Sequence, residues 1–386
     1  MKVEARIGDP EIEALIREHP DVQDLELRDA RDASAKGLMR LAELGRLRRL
    51  TVSKVKKAVD KAAMAIAEAL PLERMELSHC PKLTEKATTA IGKMATLREL
   101  DLSYNAGLKG KALEPLAELH MERLSLHGCN NLDDRACNTL NRMGQLVELD
   151  IAACQNSTIY DKRITAKTFK LLPSLSHLRV LKAGNNCGVT GKALEPIATM
   201  RQLRTLELTH LVRFTAEAWA QLGALTELEE LNLFESGPAD DVVLAGLSQC
   251  ASLRRLIITG RQRGPYIKRQ PQPYTDAGLE ALAGCRALEE LTLYCTEGIT
   301  ERGIEGLSRL PRLRMLNAWG CPMHPDALAT LTSLEELHLG GEVVTDELLF
   351  AAASLPKLER ISLLEPGPKL TDEGWAAINH LDVREA

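Results

Sequence analysis

Apolar residues return along this chain in one fixed frame, L-x-x-L-x-L, about every 24 to 25 residues. The frame opens LRELDLSYN at Leu97, LEELNLFES at Leu228 and LEELTLYCT at Leu288. Within each opening the apolar positions four and six alternate with polar ones, the period of a strand that buries one face. Further on the period lengthens to that of an amphipathic helix, in patterns such as TDAGLEALAGC and TDEGWAAINHL. One strand and one helix in so short a period cannot enclose a core alone, so each unit must bury its apolar face against its neighbours.

Fourteen openings can be counted, at Val22, Leu47, Leu72, Leu97, Met121, Leu146, Leu178, Leu203, Leu228, Leu253, Leu288, Leu313, Leu334 and Leu358. Thr84, Thr190, Thr275, Thr300, Thr345 and Thr371 stand just before helical patterns, where a hydroxyl can accept a bond from an unpaired helix amide. The expected class is α/β, a right-handed solenoid with a parallel sheet lining the inside of an arc and helices outside it. Residues 1–21 are expected to form an N-terminal capping segment, with a short helix from Pro10 and Glu11. Residues 22–386 are expected to form the repeat domain, with a C-terminal cap in its last unit.

At the ninth position of their units stand Cys80, Asn105, Cys129, Cys154, Asn186 and Cys321. With the frame, these residues make the chain resemble the leucine-rich-repeat family, in particular its helix-containing, cysteine-containing and ribonuclease-inhibitor-like members. The resemblance implies a horseshoe whose ninth-position residues form a ladder, bonding the backbone of neighbouring turns. The other eight units depart from it, with Leu211, Ser236 and Arg261 among their ninth residues, and a looser turn is expected there.

Composition narrows the function classes. Apolar residues make up 45% and charged residues 27%, enough for a core and a solvated surface. A net charge of -5 gives no global reason to expect nucleic acid or an anionic membrane as partner. No apolar stretch approaches the roughly 20 residues that span a bilayer, and the first residues lack a signal-peptide pattern, so a cytoplasmic protein is expected. Nine scattered cysteines without paired spacing point to reduced thiols and to no metal site. No phosphate loop, H-E-x-x-H or closely spaced cysteine pair is present, and no cofactor is expected.

Positions two, three, five, seven and eight should face away from the core, and two columns stand out. Position five carries Glu26, Glu76, Asp101, Asp150 and Glu207, interrupted by Thr51, Ser125 and Lys182. Such a column would draw a basic partner, or be neutralised by Arg49, Arg74, Arg98 and Arg123 in the same units. Position seven carries Phe234, Tyr294 and Trp319, three of only twelve aromatic residues. They are expected to form one exposed patch with Asn232, Thr292, Asn317 and His338 as its polar surround. The alternative is that the rings pack only on one another.

Two units are stretched just after the strand, by QNSTIYDKRI and by RQRGPYIKRQPQPY. The second brings Arg261, Arg263, Tyr266, Lys268, Arg269 and Tyr274 into a basic, proline-bearing rim loop suited to a phosphate, an acidic protein or the patch itself, or left without a role. A cysteine nucleophile can be drawn from Cys129 or Cys154 with His127 and Asp150, but the ladder register makes both thiols structural. Trp219 and Trp375 fall on apolar helix faces and read as core.

The resulting expectation is a non-enzymatic scaffold that binds a protein or peptide on the concave face of its C-terminal half and the rim loop. Two alternatives stand beside it. One is a substrate-recognition adaptor or effector in ubiquitin ligation, although the region before Val22 is too short for an F-box. The other is a cysteine-dependent enzyme.

Overall fold

The computed structural model describes residues 1–57, 59–154, 163–237, 240–259, 274–294, 298–367 and 370–385. The chain divides into two compact units, Met1–Pro196 and Ile197–Ala386. In the first, parallel strands follow in chain order: β1 (Lys2–Arg6), β2 (Asp24–Asp29), β3 (Arg49–Ser53), β4 (Arg74–Ser78), β5 (Glu99–Asp101), β6 (Arg123–Ser125), β7 (Glu148–Asp150) and β8 (Val180–Lys182). The second repeats the plan with β9 (Thr205–Glu207), β10 (Glu230–Asn232), β11 (Arg255–Thr259), β12 (Glu290–Tyr294), β13 (Met315–Asn317), β14 (Glu336–Gly341), β15 (Arg360–Pro366) and β16 (Asp382–Glu385).

Each of the fourteen openings read from the sequence carries a strand, β2 to β15, and each strand begins at the third position of its unit. Like pairs with like: Met75 lies beside Leu100, and Leu100 beside Leu124. Within each unit this register stacks the leucines at positions one, four and six into a buried core, each side chain worth roughly 1.5–3 kcal/mol once removed from water. The first 21 residues supply a strand, β1, besides the expected helix, Asp9–Glu18, where Glu11 Oε2 accepts the Gly8 amide at 2.9 Å.

The helical segments are short, and some are not α-helical. Gly110–Leu116 is a 3-10 helix containing Pro115, which has no amide to give, and Gly191–Ala193 is a 3-10 turn leading into Leu194–Ala198. Thr84, Thr275, Thr345 and Thr371 cap their helices as expected. Thr190 and Thr300 accept no cap bond.

A second set of bonds at the helix starts was not foreseen. Asp60 accepts both the amide and the hydroxyl of Thr84, at 2.9 and 2.6 Å. The same clamp joins Asp9 to Ser34, Asp134 to Thr165, Asp241 to Thr275, Asp276 to Thr300 and Asp346 to Thr371. An aspartate at one helix start thus holds the cap residue of the next. These bonds keep the carboxyls of Asp9 and Asp346 below the usual carboxylate range. Among the described residues no helix is long and apolar enough to cross a membrane.

Candidate functional site

The strand faces are set by what happens just after each strand. At the eighth position the backbone enters the left-handed region even without glycine: Lys54, His79, Tyr104, Ala153, Asn185, His210 and Glu235 have φ between 50° and 64°. The turn lets the eighth amide reach a carbonyl of the next repeat, as Tyr104 N does to His127 O at 2.7 Å and His210 N to Phe234 O at 2.9 Å. Position eight therefore orders the end of the strand face, a role the apolar period does not signal.

Underneath lies the ladder. Asn105 Oδ1 accepts the Cys80 amide at 2.8 Å, while its Nδ2 donates to the carbonyls of Leu77 and Leu102. Asn186 serves Cys154, Ile151 and Ala183 in the same way. The Cys129, Cys154 and Cys321 thiols each donate to a carbonyl of the preceding repeat: Cys129 to Leu102, Cys154 to Leu126 and Cys321 to Leu293. The expectation for Ser236 requires correction, because its buried hydroxyl donates to Leu208 O and accepts the Leu211 amide, which is ladder work. Serine is short, but its oxygen both donates and accepts, so it replaces two of the bonds of an asparagine.

In the Ile197–Ala386 unit the seventh-position rings meet. Tyr294 and Trp319 stack with centroids 4.2 Å apart and planes at 25°. Phe234 meets Tyr294 edge-on at 5.6 Å, and His210 adds a fourth ring at 5.7 Å from Phe234. Phe234 and Tyr294 lie on either side of β11, whose last residue, the small buried Thr259 at the seventh position of its unit, leaves room between them. At the other end Gly340 leaves room for Trp319, since a Cβ there would lie 2.3 Å from the indole. Phe234, Tyr294 and Trp319 are half-buried rather than fully exposed, while His210 is exposed. His210 escaped the sequence reading because only the fifth and seventh columns were singled out on that face, and Gly340 because it has no side chain.

The polar surround is partly occupied with local structure. Asn232 Oδ1 accepts the Phe234 amide at 2.9 Å, and Asn317 Oδ1 the Trp319 amide at 3.2 Å, so both hold the backbone that presents a ring. His338 Nε2 lies 2.8 Å from Glu336 Oε1. Thr292 pairs between Ile257 and Asn317, completing the fifth-position column. Arg261, Arg263, Tyr266, Lys268 and Arg269 lie outside the described residues. Tyr274 does not belong to a rim loop: it is buried, its hydroxyl has no partner among the described residues, and burial pushes its ionisation well above the phenol range.

The Met1–Pro196 unit presents a different face. Glu76 is almost fully buried and bonded to Thr51 and Ser78, with Arg28 at 3.5 Å. Burial, and then the charges of Glu76 and Asp150, push the Asp101 carboxyl above its ordinary range. Arg49 and Arg123 pair mainly with third-position acids, Asp24, Glu99 and Glu148, so the fifth-position column is served instead by Arg28 and by His127, 3.4 Å from Asp150. Above it Tyr104, half exposed, stacks on His79 at 4.2 Å and leans on His127 at 5.2 Å.

The thiols are built for structure. Burial pushes Cys129 up to about 12 and Cys80 up to about 11, and drives Cys154 well above the thiol range, the direction expected of ladder thiols. Trp219 is fully buried against Phe214, while Trp375 is only half-buried.

No family model and no curated protein matches the chain. Among solved structures, an internalin from Listeria monocytogenes is similar with a TM-score of 0.60 and 20% identity, over 91% of this chain and 88% of that one. A leucine-rich-repeat protein of Leptospira interrogans is similar with a TM-score of 0.53 and 18% identity, over 94% of this chain and 90% of that one. Frame, ladder and these likenesses agree: the chain has the leucine-rich-repeat fold.

Proposed function

We propose that this protein is a non-enzymatic interaction scaffold that binds a protein or peptide on the strand face of its Ile197–Ala386 unit. The contact residues in this reading are Phe234, Tyr294 and Trp319 with Asn232, Thr292, Asn317 and His338, joined by the basic segment Arg261, Arg263, Tyr266, Lys268 and Arg269. The observation that carries the reading is the ring row itself. In a chain with twelve aromatic residues, four rings including His210 run in unbroken contact across the strand face. Preassembled rings offer apolar area with little side-chain entropy left to lose, which is what interface anchors need.

The test is affinity capture with the intact protein beside the triple variant Phe234→Ala, Tyr294→Ala, Trp319→Ala, with circular dichroism confirming that both are folded. A partner held by the first and lost by the second supports the ring row as the docking surface. Equal recovery sinks it and moves attention to the carboxylate face of the Met1–Pro196 unit.

A further inference from the structure

The clamp between consecutive helix starts is not used at every junction, and at one of those without it the two places hold side chains of a different chemistry. Thr300 precedes the helix Glu301–Gly306 and is held by Asp276, the first residue of the helix Asp276–Leu282. One repeat later the same two places are taken by Glu301, first residue of its helix, and His324, cap of the helix Pro325–Ala329. Glutamate is longer than aspartate and imidazole larger than a hydroxyl, so the gap between the repeats is filled by a different pair of atoms.

His324 Nδ1 lies 3.4 Å from Glu301 Oε1 and 3.7 Å from Asp326 Oδ2, and the three donor atoms all fall within 4.8 Å of one another. Nδ1 also accepts the Asp326 amide at 3.3 Å, which places a lone pair on that nitrogen. A lone pair facing two carboxylate oxygens is an electron-rich cluster that a cation relieves. Metal–ligand bonds of about 2.0–2.2 Å in tetrahedral geometry hold neighbouring donors roughly 3.3–3.6 Å apart; the two distances from His324 Nδ1 are close to this, and the exposed carboxylates, within 4.8 Å of each other, have room to close on an ion.

We propose that Glu301, His324 and Asp326 form a binding site for one divalent transition-metal ion of the zinc class, with water completing its coordination. The imidazole selects this class, since calcium and magnesium prefer all-oxygen sites with more ligands. The ion takes the Nδ1 lone pair in place of the Asp326 amide. Because Glu301 and His324 come from consecutive repeats, it also ties those repeats together where the Asp–Thr clamp is replaced. The site lies at the helix starts, and its existence does not depend on the ring row. Sequence spacing could not reveal it, because its two halves are a repeat apart.

The experiment is titration of the tag-free full chain with Co²⁺, followed by displacement with Zn²⁺ and by thermal unfolding with and without Zn²⁺. His324→Asn keeps a capping side chain while removing the imidazole, and Glu301→Gln keeps the shape while removing the charge. The site predicts one equivalent of Co²⁺ with visible ligand-field bands and no thiolate charge-transfer band, a Zn²⁺-dependent rise in Tm, and loss of both in each variant. No saturable uptake, uptake that either variant leaves unchanged, or a thiolate band marking a cysteine as the ligand would overturn it.

Discussion

At the seventh position the Met1–Pro196 unit places Arg28, Ser53, Ser78, Ser103, His127, Ala152 and Gly184, whereas the Ile197–Ala386 unit places Thr209, Phe234, Thr259, Tyr294, Trp319, Gly340 and Leu364. At the fifth position the first has four carboxylates, and the second has Asn232, Thr292, Asn317 and His338 among its residues. The backbone beneath is the same in both. Asp101 and Asp150 accept the amide two residues on, as Asn232 and Asn317 do. An Asx side chain at position five thus serves the turn in either unit, and its charge is free to vary with what the face must meet. The repeat dictates the backbone, and the outward columns carry what distinguishes one face from the other.

The ladders differ too, and this gives the largest expected effect. The Met1–Pro196 unit uses two asparagines, Asn105 and Asn186, while Ser236 and Cys321 do the equivalent work in the other. Asn105→Ala strands one buried amide and two buried carbonyls, at a cost of about 3 kcal/mol or more. Cys321→Ala removes a weak thiol donor and a small volume, at about 1 kcal/mol. Urea unfolding of both variants should show the larger loss for Asn105→Ala. Equal losses would mean that the asparagine is no stronger a tie than the thiol, and the two ladders would then be equivalent.

The next effect compares the glycines beneath the rings. Gly340→Ala would bring a Cβ to 2.3 Å from the Trp319 ring and 2.5 Å from the Leu364 carbonyl, and the carbonyl belongs to β15 and cannot yield. Gly128→Ala meets the Tyr104 ring at 2.6 Å and a backbone φ of +67°, but that ring is half exposed and can swing away. Thermal unfolding should show about 2–3 kcal/mol lost at Gly340, in the range of overpacked cores. About 1–2 kcal/mol is expected at Gly128, mostly from the left-handed backbone. Near-ultraviolet circular dichroism should change for Gly340→Ala as Trp319 leaves its stack on Tyr294. An unchanged spectrum would show that the ring row tolerates the methyl and is looser than its geometry implies.

How much of this could be read beforehand follows from which interactions are periodic. The leucine frame is periodic, so all fourteen openings and the strand in each were legible, as were most of the threonine caps. The Asp–Thr clamp was legible in principle, since T-D recurs at Thr275, Thr345 and Thr371, but the aspartate bonds the next repeat, and a single repeat does not display that. Ser236 was misjudged because the family pattern names Asn or Cys, whereas the geometry asks only for a small buried donor and acceptor. The Phe234–Tyr294 contact depended on Thr259 being small, which is a property of the gap between two rings. What was illegible was relational: which side chain reaches across, and which absence of one makes room.

The smallest expected effect has opposite signs in the two units. Burial, then Glu76 and Asp150, raise Asp101, so the fold favours its protonated form: this contribution is fully present below the ordinary carboxylate pKa and is lost as pH rises through the raised value. Asp101→Asn keeps the acceptor for the Ser103 amide and removes the penalty, so its Tm should exceed that of the parent at neutral pH, with the difference closing as pH falls. Glu336 is the counterpart. Burial alone would raise it, but hydrogen bonds from Arg360 and His338 and their charges hold it below its ordinary value, so its contribution is present above the ordinary pKa and is lost as pH falls through the lowered one. Glu336→Gln should therefore lower Tm at neutral pH and converge on the parent in acid. Paired Tm profiles against pH that shift in the same direction would show that the carboxylate column of the first unit is not a strained surface, and would remove the electrostatic half of the contrast between the two faces.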